Sequence, residues 1–331
     1  MDKVCVIGSN SFSGASFCKF LLELGVDVIG VSRSSEPDRL LLPYKWLPMS
    51  KQENFRFFKV DINHEMDRLV TIINSEKPKC IVNFSAQSMV GESWDRPSDW
   101  MMTNVVSLSG LMERLRFFDF LESYVHVSTP EVYGSTLDFI SEDVNADPST
   151  PYAVSRAAGD MLVNLYQKTF DLPIKTTRAA NVFGCGQPLF RIVTKSIYSV
   201  LSKKKIELHG GGVSRRSFIH IDDVSSATWE IAQSNIRGQT FHISTDRVVT
   251  IKNLVALIVE MMGVSFDESV VVTADRLGKD SAYLLSSEKI RKTLGWTDYI
   301  GLEDGLDSVI KWACDNAADF CALPKTYVHK S

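Results

Sequence analysis

The stretch Lys3-Val-Cys-Val-Ile-Gly-Ser-Asn-Ser-Phe-Ser-Gly14 (KVCVIGSNSFSG) decides the fold class. An apolar strand pattern runs directly into a short loop that begins at Gly8 and ends at Gly14, and residues 14–24 then follow a helical pattern. Glycine at position 8 permits a tight turn, and glycine at position 14 lets the helix pack closely on the sheet. The free amides and positive dipole end of such a helix suit a pyrophosphate. The stretch therefore predicts a dinucleotide-binding loop.

The glycine spacing in this loop is GxxxxxG, because Ser11 stands where a GxxGxxG pattern has its middle glycine. We include Ser11 and Phe12, with Gly8 and Gly14, in the predicted cofactor-binding set. A pair of glycines alone is a weak signal. Its position after an N-terminal strand and before a helix is what favours dinucleotide binding.

Strand patterns alternate with helical patterns through the first half of the chain. The predicted strands are 4–8, 26–32, 57–60, 80–84, 124–128 and 174–178, and the predicted helices are 14–24, 66–74, 100–118 and 151–170. This alternation is typical of parallel strands covered by helices on both faces. The sequence predicts an α/β fold with a Rossmann-type doubly wound parallel sheet in residues 1–180. Residues 181–331 are predicted to form mainly a smaller substrate lobe, with some late segments returning to the sheet.

The lobe is predicted to contain a hairpin from 206–212 to 217–220 around three glycines, since a turn is the simplest interpretation of that run. Helices are expected near 223–234, 251–262 and 287–294.

Composition narrows the class of protein. The 331 residues are 44% hydrophobic and 23% charged with a net charge of −4, which argues against nucleic acid as the main ligand. No stretch approaches the ~20 apolar residues that span a bilayer, and the N-terminus lacks a signal-peptide layout. The cysteines show no metal-ligand spacing and resemble small buried hydrophobes of a reducing compartment; they are Cys5, Cys18, Cys80, Cys185, Cys314 and Cys321. We expect a cytoplasmic protein without a metal site or a membrane partner.

The residues after the second strand bear on cofactor choice. An acidic residue there would hold the adenosine ribose hydroxyls and repel a 2′-phosphate. Ser32 is instead small and neutral, Arg33 offers a cation and Ser34 a donor, which favours NADP over NAD. The alternative is a surface arginine at a strand end. Asp61, followed by Ile62 after the third strand, either accepts from the adenine amino group or caps the next helix.

The segment YAVSR places Tyr152 and Arg156 four residues apart, on one face of the predicted helix. A neighbouring cation can make a phenol acidic enough to accept a proton. Arginine keeps its charge at any working pH but cannot lend a proton to a relay. The alternative is that both are ordinary residues on the helix surface.

Taken together, these segments resemble extended short-chain dehydrogenase/reductases that modify nucleotide sugars. Within that group the chain is most similar to the sugar 4,6-dehydratases, such as dTDP-glucose and GDP-mannose 4,6-dehydratase, over about residues 3–300. The resemblance rests on the glycine loop, on Thr129-Pro-Glu-Val-Tyr133 and on Tyr152 with its cation. Further matching segments are Asn83–Ser88, Thr103-Asn104, Arg178–Gly184, Arg216–Asp223, Asp275–Asp280 and Leu294–Trp296.

The resemblance implies a role for each matching residue. Tyr152 would take the proton of the sugar 4-hydroxyl, Thr129 would hydrogen-bond the same oxygen, and Glu131 would remove the C5 proton. Arg156 would hold the nicotinamide ribose in place of the family's lysine. It also implies an NAD(P) cofactor, a nucleotide-sugar substrate and a homodimer formed by helices 100–118 and 151–170. Further implied contacts are Ser85, Ala86 and Gln87 for the cofactor, and Gln87, Asn181, Arg216 and Arg276 for the substrate.

Two positions depart from the family pattern. Arg156 replaces a lysine. Pro130 stands where dTDP-glucose dehydratases carry an aspartic acid and GDP-mannose dehydratases a serine, and proline has no proton to donate. Three functions therefore remain open. Glu131 favours a 4,6-dehydratase, Pro130 an epimerase or reductase, and Arg156 a non-catalytic protein that has kept the cofactor fold.

Overall fold

The structure is a computed structural model that describes residues 1–274 and 282–330. Its strands are β1 Lys3–Ile7, β2 Asp27–Ser32, β3 Phe55–Lys59, β4 Cys80–Asn83, β5 Ser123–Val127, β6 Phe139–Ile140, β7 Ile174–Ala179, β8 Asn181–Phe183, β9 Ile206–His209, β10 Arg215–His220, β11 Gln239–Ile243, β12 Val248–Thr250, β13 Val270–Thr273 and β14 Ala282–Leu285.

The α-helices are α1 Phe12–Glu23, α2 Met49–Gln52, α3 Met66–Glu76, α4 Pro97–Met101, α5 Leu108–Leu115, α6 Pro151–Phe170, α7 Ile192–Leu201, α8 Ile221–Gln233, α9 Ile251–Met261, α10 Phe266–Ser269, α11 Glu288–Leu294, α12 Leu302–Asp315 and α13 Ala317–Ala322. Short 3₁₀ turns occur at Arg39–Leu41, Pro43–Trp46, Gly91–Trp94, Pro130–Tyr133 and Gly210–Gly212, and Met102–Ser107 is π-helical.

Seven parallel strands form the central sheet in the order β11-β7-β5-β4-β1-β2-β3. The chain starts in the middle with β1 and winds outward in both directions, so the topological switch point lies between β1 and β4. The predicted doubly wound parallel sheet is confirmed, and each of the six predicted strands is present. One late strand, β11, pairs with β7 at the edge.

Alternating side chains of β1 point to opposite faces of the sheet and bury both. Val4 and Val6 pack against Phe17 of α1, while Cys5 and Ile7 belong to the cluster beneath α3, α5 and α6. These strand residues are at most 1% exposed. The two cores fix the carboxyl ends of the strands, where the cavity described below opens.

The lobe departs from the predicted hairpin. β9 pairs in parallel with β13, and β10 pairs with β8, β12 and β14 rather than with β9. The three glycines between β9 and β10 all have positive φ and do turn the chain. The hairpin prediction was wrong because a local turn signal does not say which distant strand will supply the pairing partner.

The predicted helix 100–118 is broken by the π-helical segment 102–107. This segment projects the Asn104 side chain, which accepts from the Gln87 amide at 2.9 Å and donates to the Gln87 carbonyl at 3.0 Å and to Ser155 Oγ at 2.9 Å. α6 passes very close, since a Cβ added at Gly159 would lie 2.8 Å from the Asn104 carbonyl oxygen. The π turn thus fixes the loop after β4 against α6. Within the two described ranges, no helix combines the length and the apolarity that a membrane crossing requires.

Candidate active site

One large cavity of about 1470 Å³ lies at the carboxyl ends of the strands, between the sheet and the lobe. Most of the predicted site residues line it: Gly8, Ser11, Phe12, Ser32, Arg33, Ser34, Asp61, Ile62, Ser85, Ala86, Gln87, Thr129, Glu131, Tyr152, Arg156 and Asn181. Gly14 and Arg216 are not among the described residues that form the wall, and Arg276 lies outside the described residues. A cavity of this size has room for a dinucleotide beside a second ligand.

The glycine loop, residues 8–14, needs both of its glycines. Gly8 has φ +87°, and a Cβ there would lie 2.8 Å from the Phe84 carbonyl carbon. A Cβ at Gly14 would lie 2.2 Å from the Gly8 carbonyl oxygen. Ser11 caps α1 by accepting from the Gly14 amide at 3.1 Å, and its hydroxyl donates to the Gly8 carbonyl at 2.7 Å. The loop therefore keeps its backbone close to the cavity floor, as a pyrophosphate site requires.

At the end of β2 the three predicted residues differ in what they contact. Ser32 Oγ accepts from the Asn10 amide at 2.9 Å, so its hydroxyl ties the glycine loop to the strand. Arg33 lines the cavity and, within residues 1–274 and 282–330, forms no ion pair with a carboxylate. Ser34 Oγ accepts from Lys330 Nζ at 2.9 Å. Arg33 and Ser34 thus face the cavity together.

Asp61 also lines the cavity, with its Oδ1 accepting from the Asn63 amide at 2.9 Å. The next helix begins at Met66, where Glu65 precedes it. The alternative that Asp61 caps this helix is therefore wrong.

Thr129 and Glu131 are held by a short turn at the end of β5. Thr129 caps the 3₁₀ turn Pro130–Tyr133, and its Oγ1 accepts from the Glu131 amide at 3.3 Å. Pro130 occupies the first position of this turn, where the fixed φ of proline fits and its missing N–H costs nothing. The proline that replaces an acid of the family pattern therefore fits the turn that carries Glu131.

Tyr152 lies in the first turn of α6, which begins at Pro151 with Thr150 as its cap. The phenol is 7% exposed. Burial raises its pKa, the Glu131 carboxylate raises it further, and the Arg156 charge and the Thr129 hydrogen bond oppose the change. Arg156 acts on the phenol in the expected direction, but in the protein alone desolvation and the Glu131 charge outweigh it, so the pKa of Tyr152 is raised.

Arg156 is only 2% exposed, so the alternative that Tyr152 and Arg156 are ordinary surface residues is wrong. Its guanidinium donates to the Val127 carbonyl at the end of β5, and Nη2 lies 3.5 Å from His126 Nε2. The extra length and second nitrogen of arginine thus reach the backbone of the neighbouring strand.

A buried charge network that sequence reasoning missed continues from Arg156 along the same face of α6. Asp160 Oδ2 accepts from Arg178 Nη2 at 2.7 Å and from Ser128 Oγ at 2.8 Å, and His126 Nε2 lies 3.3 Å from its Oδ1. Burial raises the pKa of Asp160, but the His126 hydrogen bond and the Arg178 charge reverse this and hold it well below its usual range. The i, i+4 spacing of Arg156 and Asp160, which places both on one face of α6, is the sequence feature that could have indicated this network.

The predicted substrate residues occupy different positions relative to the cavity. Asn181 Oδ1 accepts from the Tyr283 hydroxyl at 2.7 Å, and Tyr283 itself lines the wall. Arg216 stacks on Tyr283, with 4.2 Å between the guanidinium carbon and the ring centroid, and so lies behind that wall. Tyr283 and Arg191, another lining residue, carry no local sequence motif and were missed.

The Rossmann-type sheet, the glycine loop and the buried Tyr152 place the chain in the class of proteins that bind a dinucleotide cofactor beside a tyrosine. Comparisons with known proteins give the family. The family model for GDP-mannose 4,6-dehydratase matches residues 5–309, so the chain belongs to that family of extended short-chain dehydrogenase/reductases.

Similar proteins of this family come from distant organisms. A mouse dTDP-D-glucose 4,6-dehydratase is 31% identical over 273 residues, covering 80% of this chain and 76% of that protein. A dTDP-glucose 4,6-dehydratase from Streptomyces venezuelae, solved with NAD bound, has a TM-score of 0.87 at 26% identity and covers 96% of this chain and 98% of its own. A trifunctional UDP-glucose 4,6-dehydratase/epimerase/reductase of Arabidopsis thaliana is 29% identical over 273 residues, which are 81% of this chain. The matched part is only 41% of that protein's length.

Proposed function

We propose that the protein is a nucleotide-sugar 4,6-dehydratase that converts an NDP-hexose to an NDP-4-keto-6-deoxyhexose. The observation that carries the proposal is the presence of Tyr152, Thr129 and Glu131 in one cavity beside the glycine loop. The dTDP-glucose 4,6-dehydratases among its relatives support the same function.

Different side chains of the cavity carry out the different proton transfers of the reaction. Tyr152, in its ionised form, accepts the proton of the sugar 4-hydroxyl, and Thr129 hydrogen-bonds the same oxygen. A bound nicotinamide cofactor supplies the acceptor for the hydride from C4 and later its donor to C6. Glu131 removes the C5 proton, made acidic by the 4-keto group. Because Pro130 has no proton, Glu131 returns its proton to the departing 6-hydroxyl, which leaves as water. When the hydride has reached C6, C5 takes up a proton from solvent, and Tyr152 releases the proton of the 4-hydroxyl to solvent and is again a phenolate.

Arg156 would hold the nicotinamide ribose and oppose the rise in the pKa of Tyr152. Residues 1–180 would carry most cofactor contacts and residues 181–331 mainly substrate contacts, among them those of Asn181 and Tyr283, which line the cavity. Arg216 would act through Tyr283, which it supports.

For the cofactor we infer a preference for NADP over NAD. Arg33 and Ser34 face the cavity at the end of β2, where Ser32 stands in place of an acidic residue that would bind the ribose hydroxyls. The similar structures were solved with NAD, which makes this preference a specific test of the present chain. Titration with both cofactors checks it, and tighter binding of NAD would refute it.

We further propose a homodimer in the cytoplasm. Apolar side chains stand exposed along the π-helical segment and α6, the pair of helices that the sequence assigned to a dimer: Met102, Val106, Val154, Met161 and Leu165 are 41% to 66% exposed. An apolar stripe of this kind supports an interface with a second copy.

A second candidate function is an epimerase of the same family, which Pro130 favours because the position offers no acid. Incubation with a panel of nucleotide hexoses, followed by product mass, separates the two. Loss of one water supports the dehydratase, and a changed sugar of unchanged mass supports the epimerase. Cofactor binding without turnover would show that the protein is a non-catalytic relative.

A further inference from the structure

Residues 324–330, here called the strap, cross the mouth of the cavity. The His329 ring stacks on Trp100 with centroids 4.9 Å apart, and its Nε2 lies 2.7 Å from Asp99 Oδ2. Tyr327 packs edge-on against Phe190, with centroids 5.9 Å apart. These contacts attach the strap to α4 on one side and to the lobe on the other.

Gln87 joins the strap to the cofactor side of the cavity. Its Nε2 donates to the Lys330 carbonyl at 2.6 Å, and its Oε1 accepts from the Tyr327 hydroxyl at 3.2 Å. Gln87 as a whole is 2% exposed. Gln87 was predicted to contact cofactor and substrate, but here its polar atoms hold the strap.

The strap delivers Lys330 to the end of β2. Lys330 Nζ donates to Ser34 Oγ at 2.9 Å, and Ser34 follows Arg33 directly in the chain. Lys330, like Arg33, forms no ion pair with a carboxylate in the part of the chain that the structure describes. The Lys330 ammonium and the Ser34 hydroxyl therefore meet at the cavity edge, and Arg33, the residue before Ser34, lines the same cavity. A phosphate dianion bound there would offset the positive charge.

We propose that Lys330 is a specificity-determining residue that binds the 2′-phosphate of NADP together with Arg33 and Ser34, and that the strap positions it. This inference rests on the proposed preference for NADP. It adds a residue that the strand end does not contain, because Lys330 lies 296 positions after Ser34 in the chain. The strap is therefore part of the cofactor site.

The test measures ligand binding to the full-length protein without any sugar. The probes are adenosine 2′,5′-bisphosphate against 5′-AMP, and NADP against NAD, titrated calorimetrically. Lys330→Ala should weaken both 2′-phosphorylated ligands about tenfold or more, as expected for loss of one charge-assisted contact, and change the other two by less than about twofold. Lys330→Arg should restore most of the loss. Lys325→Ala is the matched control, because Lys325 lies in the same strap and contacts the Tyr198 ring instead.

Equal weakening of all four ligands would overturn the assignment to the phosphate. Tighter binding of all four by Lys330→Ala would show that the strap displaces the cofactor, and would also overturn it. A wild-type preference for NAD would refute both the cofactor preference and the role of Lys330. None of these results depends on dehydration, which the product-mass experiment tests separately.

Discussion

Tyr152 is a buried phenol whose proton affinity is set by two opposing neighbours. After burial, the Glu131 carboxylate is the largest influence that raises its pKa, and Arg156 is the largest that lowers it. A raised pKa means that the phenolate base forms only as the pH rises, so activity limited by this step should increase on the alkaline side. The two neighbours can be removed separately.

We predict that Glu131→Gln shifts the ionisation of Tyr152 to lower pH, because it removes a negative charge that disfavours the phenolate. Arg156→Met should shift it to higher pH. The measurement is the phenolate absorbance of each variant against pH, with the same variant carrying Tyr152→Phe subtracted. A titration that Glu131→Gln leaves unmoved would show that the two groups do not interact.

The same Glu131→Gln variant should no longer eliminate water, since the amide keeps the size of the side chain but cannot remove the C5 proton. Hydride exchange between the sugar and the cofactor should survive. Product mass and deuterium exchange at C4 give the two readouts. Formation of the 4-keto-6-deoxy sugar at a near wild-type rate would mean that Glu131 is not the base.

Arg156 is expected to be a functional replacement for lysine. Arg156→Lys keeps the positive charge and should retain substantial turnover, although it loses the second nitrogen that reaches the Val127 carbonyl. Arg156→Met should lose most turnover and weaken cofactor binding, while Lys168→Met, at an exposed position of the same helix, should change neither. Normal turnover of Arg156→Met would make the pairing with Tyr152 a coincidence of helix spacing. Tyr152→Phe should be inactive with either cation.

At the scale of elements, the sequence predicted correctly those helices, strands and loops whose contacts are made with residues nearby in the chain. The β1 strand, the glycine loop and α1 were identified because turn, cap and packing requirements fall within a dozen residues. The β9–β10 hairpin failed for the opposite reason, since β13 competes for β9 from more than 60 positions away. The break of helix 100–118 was missed because a π turn carries no residue pattern of its own and is stabilised here by Asn104 contacts.

The packing of β1 on α1 gives a test of that argument. Gly14→Ala should destabilise the protein by about 1–3 kcal/mol and weaken cofactor binding, because the new Cβ would lie 2.2 Å from the Gly8 carbonyl oxygen. Gly110→Ala, in the middle of α5, should instead stabilise it by about 0.5–1 kcal/mol. At that position the nearest atom would be the end of the Met66 side chain at 3.7 Å. Urea unfolding of both variants measures the difference, and equal effects would contradict the close approach at Gly14.

At the scale of the whole molecule, the site joins segments that only the complete fold brings together. Tyr152 and Glu131 were predictable because their motifs lie close in sequence. Tyr283 and Lys330 were not, since each reaches the cavity from a late segment whose position is set by tertiary packing. Residues that tune a cofactor site from such segments leave no spacing pattern to find.

A single copy of the chain leaves the apolar stripe on the π-helical segment and α6 open to solvent. Val106 in the π-helical segment is 55% exposed, and Met161 of α6, the helix that packs on this segment at Gly159, is 66% exposed. If a second copy covers this stripe, Val106→Asp places a charge in a desolvated interface and should convert the dimer to a monomer. Val213→Asp is the matched control, because Val213 is 68% exposed in the lobe, away from the stripe, and its replacement should leave the dimer intact. Light scattering after gel filtration measures both. A wild-type protein that elutes as a monomer, or a Val106→Asp variant that stays dimeric, would show that the interface lies elsewhere or does not form.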